Sequence, residues 1–182
     1  GQTRQPASAR VGGGAGAVWA SLSIAEILPG RHRGVWPRAP KERAWARSAA
    51  AEMHSSFTAL RNFCPMSCGL SVEPFPMSDA LKHDLFRLGD LWNDGLGRFG
   101  GPFLAGERFT AADAFFAPVA FRAQSYGPAF EGAAAAYPKQ LLDLPAMREW
   151  YAAALAETWR EPDHEAEVAA AGTIIEDRRA TA

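Results

Sequence analysis

Apolar residues recur at helical spacing along most of the chain, and the stripes they form predict its elements. Trp45, Ala49, Met53, Phe57, Leu60 and Cys64 fall at steps of four, four, four, three and four. They line one face of a helix predicted from about Pro40 to about Asn62, and Pro65 stops it. Leu81, Leu85, Leu88, Trp92, Leu96 and Phe99 form a second stripe, with Ser78 or Asp79 as its cap and Gly100-Gly101-Pro102 as its end. A third helix through about Tyr126 follows a connector from Phe103 to Phe109. Its Phe115, Phe116, Val119 and Ala120 are apolar on more than one side, which places it centrally.

Shorter elements complete the pattern. Ser21 precedes a brief helical run of Ile24, Ile27 and Leu28 closed by Pro29-Gly30. Residues 29–40 are a Pro/Gly-rich loop in which Trp36 is the expected anchor. Residues 65–78 read as a loop. Prolines stand where first helical residues are welcome at Pro138 and Pro145, and Trp150, Tyr151, Ala154 and Leu155 give the last helix a core face. No alternating strand pattern stands out beyond a vestigial strand at Val18 and Trp19, so an all-α fold is expected. Residues 1–17 offer almost nothing to bury and read as a disordered or remnant head, and residues 161–182 as a charged tail. The folded domain is expected over 18–160.

The most informative local signal is Thr110-Ala-Ala-Asp113, the spacing of a capping box. There the Thr110 side chain meets the Asp113 amide while the Asp113 carboxylate bonds back to the Thr110 amide. Pro118 lies inside the same helix and removes the bond to the Ala114 carbonyl, a defect costing ~3 kcal/mol that packing or a cavity has to absorb.

Composition narrows the classes. The chain has 182 residues, enough for one domain with a core. Lys plus Arg number 19 and Asp plus Glu 20, a net charge of -1 that supplies no broad field for nucleic acid or an anionic membrane. No stretch reaches the ~18 apolar residues of a membrane span. The Gly/Ala-rich head lacks the apolar core of a signal peptide. Cys64 and Cys68 are spaced neither as a redox pair nor as half of a zinc site, and two cysteines make no disulfide framework, which points to the cytoplasm.

Candidate chemistry is sparse. Gly12, Gly14 and Ala17 mimic a dinucleotide fingerprint, but no buried strand precedes them and no acid follows at the ribose position. His32, His54, His83 and His164 have no ligand partner one helical turn on, so no metal site is expected. Arg47, His54 and Arg61 are spaced by seven along one edge of the first long stripe, beside Phe57. Two cations and a titratable ring could receive the carboxylate of an apolar ligand. The same row could equally be a solvated helix edge paired with Asp84, Asp90 or Asp94 of the next helix.

Four stretches together resemble the helical C-terminal half of a bacterial glutathione S-transferase: WASLSIAEIL (19–28), RAWARSAAAEMHSSFTALRNFCPM (43–66), FLAGERFTAADAFFAPVAFR (103–122) and LPAMREWYAAALAE (144–157). The resemblance implies a helical bundle of that family, a homodimer formed partly by the first two long helices, and a pocket for a small hydrophobic electrophile lined by the first. By this likeness Ser21 matches a serine that holds the glutamyl end of glutathione, the cosubstrate, while Ala20 stands where the family usually has an acid. Phe57, His54, Arg61 and Arg47 are the candidate pocket residues, and Thr110 and Asp113 are structural. The family's thioredoxin-like half, which activates the thiol, is matched only by its last strand and helix, VWASLSIAEIL, so no catalytic residue is assigned. The resemblance implies a transferase truncated at its start and inactive alone. The alternative is a non-catalytic binding or assembly module on the same fold.

Overall fold

The computed structural model describes residues 10–13, 16–30 and 32–180. Helices dominate it: α1 (Ser21–Ile27), α2 (Pro40–Ser55), α3 (Thr58–Phe63), α4 (Asp79–Phe99), α5 (Ala111–Tyr126), α6 (Tyr137–Leu142), α7 (Pro145–Ala156) and α8 (Pro162–Ala171). The all-α expectation is nevertheless too simple, because two two-stranded antiparallel sheets are present. Strand β1 (Arg10–Gly13) pairs with β2 (Gly16–Trp19), within the stretch expected as a structureless head; the rest of that head lies outside the described residues.

The second sheet joins β3 (Leu70–Pro74) to β4 (Gly172–Asp177), with Leu70 opposite Asp177 and Pro74 opposite Gly172. The segment expected as a charged tail therefore folds back as α8 and β4. Leu70 and Val72 are its buried strand positions, too few to show alternation in the sequence. Gly172 makes the close approach possible, since a Cβ there would lie 2.2 Å from the Glu73 carbonyl oxygen. Charge then holds the fold-back, as Arg179 bonds both oxygens of Glu165 at 2.7 and 2.9 Å.

The first long helix is also not continuous. It breaks at Ser56 and Phe57, where Phe57 takes the left-handed conformation with φ 59° and buries its ring. The apolar stripe survives the break because Met53, Phe57, Leu60 and Cys64 all remain in the core. The freed backbone groups find side chains. The Asp84 carboxylate accepts from the Leu60 amide at 3.0 Å, and the Arg61 guanidinium donates to the carbonyls of Met53, His54 and Ser56 at the end of α2.

Other signals divide: the core face expected for α7 at Trp150, Tyr151, Ala154 and Leu155 is not buried, Trp150 being exposed and Met147 the buried residue of that helix, while the caps and the anchor hold. Ser78 accepts from the Leu81 amide at 3.2 Å, Gly100 ends α4 with φ 62°, and buried Trp36 donates from its indole to the Ala25 carbonyl. Trp92 of α4 is fully buried among the rings of Phe116, Phe130 and Tyr137, with centroids 4.8–5.8 Å away. Beside it, Gly95 admits the Trp45 ring of α2; a Cβ would meet that ring at 2.4 Å.

Asp113 joins these parts. The capping box with Thr110 is formed. Its carboxylate accepts from the Thr110 amide at 2.8 Å, the Thr110 hydroxyl at 3.1 Å, the Leu104 amide at 3.0 Å and the Tyr137 hydroxyl at 2.7 Å. Burial pushes this carboxyl above its ordinary value, while the four hydrogen bonds work the other way by favouring the ionised form. The connector 100–110, the start of α5 and the start of α6 thus share one acceptor.

Asp113→Ala should lower stability by about 3 kcal/mol, because two buried amides and a phenol lose their acceptor at once. Chemical denaturation should show a midpoint shift of that size, with Asp113→Asn falling between. An unchanged midpoint would remove Asp113 from its central place.

Candidate functional site

A cleft lies between α5 and the start of α1 and end of α2, beside Ala114 and Pro118 of α5. It encloses about 360 Å³ and is lined by Ser21, Met53, His54, Arg61, Ala114, Phe115, Pro118 and Arg122. Ala114 and Pro118 line it from α5, so the proline interrupts the helix where a cavity lies beside it. Phe109 and Phe103 meet edge to face nearby in the sequence, with ring centroids 5.8 Å apart.

Three of the residues singled out in the sequence meet in this cleft. Ser21 Oγ lies 3.4 Å from His54 Nδ1, and Arg61 joins them from α3. The other two do not. Phe57 is 3% exposed and belongs to the core. Arg47 lies outside the lining, where it pairs with Glu26 at 2.5 Å and stands over the Trp36 ring. The acids that might have neutralised the basic row are engaged elsewhere. Asp84 caps α3, Asp90 pairs with Arg87, and Asp94 accepts from Trp45 and Arg98.

Arg122 is the lining residue that sequence reading missed. It sits on α5, four residues beyond Pro118, and points across the chain to donate from Nε to the Cys64 carbonyl at 2.8 Å. Its spacing from Pro118 was the available signal, since the same face of the helix carries both. Burial first, and then the neighbouring charge of Arg61, hold its guanidinium below the ordinary value.

Backbone strain concentrates at the same place. Ala20 and Phe57 are the two non-glycine residues with positive φ among the described residues, at 77° and 59°. One precedes Ser21, and the other lies between His54 and Arg61. Such conformations cost about 1 kcal/mol or more each and persist where surrounding structure enforces them, commonly at binding sites. Among the described residues no group of three or more His, Cys, Asp or Glu side chains gathers as metal ligands, and no helix is long and apolar enough to cross a membrane.

Residues 78–153 match the family described as glutathione S-transferase, C-terminal domain. A solved structure similar to it is that of a glutathione transferase homologue from Burkholderia, with bound glutathione. The two share 18% sequence identity over 79% of this chain and 71% of that one, with a TM-score of 0.54. That likeness is one of fold. No curated protein matches the sequence.

The two thiols near the cleft are unsuited to nucleophilic work. Burial pushes Cys64 and Cys68 each up to about 11. At pH 8 only about a thousandth of each is thiolate, against roughly a quarter for a free cysteine. Iodoacetamide should therefore label the folded chain over a hundredfold more slowly than the urea-unfolded chain at pH 8, with labelling accelerating toward pH 11. Equal rates in the two states would show an accessible, activated thiol.

Proposed function

We propose that the full-length protein is a cytoplasmic glutathione transferase that conjugates glutathione to small apolar electrophiles, with this chain forming the electrophile's side of the site. The observation that carries the reading is the convergence of Ser21, His54 and Arg61 on one cleft walled by Met53, Phe115 and Pro118, in a chain whose residues 78–153 match the family's C-terminal domain. Ser21 is the residue we assign to the glutamyl end of glutathione. In the reaction the thiolate forms a bond to an electrophilic carbon, the leaving group departs with its electron pair, and the thiol proton passes to solvent or a base. The cleft holds the electrophile near the sulfur, which turns a bimolecular encounter into a local one.

The polar groups of the cleft are one hydroxyl, one imidazole and two guanidiniums. None is the hydrogen-bonding serine, cysteine or tyrosine that the family resemblance assigns to the thiol from its other half. Ser21 alone supplies one hydrogen bond worth about 1 kcal/mol, too little to order a flexible tripeptide. We also infer a homodimer, supported by an apolar hollow of about 420 Å³ on α4, where Phe86 is 76% exposed beside Met77 and Phe130.

The chain alone should give no turnover of 1-chloro-2,4-dinitrobenzene with glutathione above the uncatalysed rate, while the same chain joined to a thioredoxin-like half of the family should turn it over. In that joined protein Ser21→Ala should raise the KM for glutathione several-fold. An inactive joined protein with unperturbed fold would favour the non-catalytic binding module instead.

A further inference from the structure

The cleft is positive, and nothing among the described residues neutralises it. Arg61 and Arg122 both line it, yet neither forms an ion pair with any described residue, and none of the lining residues is an acid. Nearby acids are committed, Glu26 to Arg47 and Glu52 to Arg87. Main-chain carbonyls hold the two guanidiniums instead. Arg61 donates through Nε to Ser56 and through one Nη to Met53 and His54. Arg122 donates through Nε to Cys64 and through one Nη to Pro118. Each arginine keeps its second Nη without an acceptor among the described residues.

Carbonyls fix position without cancelling charge. Holding two like charges together beside an apolar wall costs free energy, and an anion between them would recover it. In a chain with a net charge of -1 this local excess does not follow from bulk composition. The apolar lining is Met53, Ala114, Phe115 and Pro118, and the volume of about 360 Å³ suits a small organic molecule.

We infer that the cleft selects electrophiles bearing a carboxylate on an apolar body, with Arg122 and Arg61 receiving the carboxylate through their open Nη groups and Phe115 and Met53 packing on the body. This rests on the reading of the cleft as the electrophile's site. It moves the anion-binding role from Arg47, which Glu26 occupies, to Arg122, which the sequence row did not include. Two charge-assisted hydrogen bonds in a partly enclosed site favour the acid over a neutral isostere by about tenfold or more.

The test is calorimetric titration of the chain with 4-phenylbutyrate and with 4-phenyl-1-butanol at low salt. The acid should bind about tenfold more tightly than the alcohol, and Arg122→Met should abolish most of that ratio while leaving alcohol binding and the circular dichroism spectrum in place. A ratio near one in the unaltered chain overturns the proposal whether or not the variant folds. A folded Arg122→Met that keeps the full ratio overturns it as well. Millimolar glutathione should leave the acid's affinity nearly unchanged. Complete displacement would assign the cationic pole to the tripeptide's own carboxylate and overturn the choice of electrophile. The titration needs no turnover, so an acid preference in a protein that never conjugates glutathione would sink the transferase reading alone.

Discussion

The Asp113 carboxylate is buried and accepts four hydrogen bonds, from the Leu104 and Thr110 amides and from the Thr110 and Tyr137 hydroxyls. The placement of α5 depends on it. A carboxylate removed from water is costly unless every lone-pair direction is met, so the surrounding segments are confined to the positions that meet them. The connector before α5 and the helix α6 after it are both tied to the same group. Because α5 supplies Ala114, Phe115, Pro118 and Arg122, the wall of the cleft inherits its position from that buried node.

The cleft itself departs from local ease in several ways at once. Pro118 interrupts a helix ladder, Ala20 and Phe57 hold positive φ, and two guanidiniums face one another's charge with carbonyls as their only described partners. Their coincidence around one cavity is what separates this cleft from the other hollows of the surface.

Much of this was legible in the sequence. Strict helical spacing exposed α2, α4 and α5, and Thr110 to Asp113 exposed the cap, because those signals depend on residues close together in the chain. Ser78, Gly100 and Trp36 took their expected parts for the same reason. What failed to show depends on distant partners. The break at Phe57 leaves the apolar stripe unaltered and is enabled by Asp84 and Arg61. The β3–β4 pairing joins segments a hundred residues apart, and two short strands, with two buried positions in β3 and one in β4, carry too little period to detect. In the site, Ser21, His54 and Arg61 line one cleft. Arg47 is drawn away by Glu26 from α1, and Arg122 comes in from α5, where its spacing from Pro118 was the signal passed over.

Native-state hydrogen exchange of the Leu104 and Thr110 amides tests the central claim most directly, that one buried carboxylate locks the connector to α5. Both amides lie in an irregular segment, where exchange is ordinarily fast. Bonded to Asp113, they should exchange only through global unfolding, with the same free energy as the core amides of α5, and should become fast in Asp113→Ala. Rapid exchange in the unaltered chain would contradict the account, since the wall of the cleft would then have no fixed support.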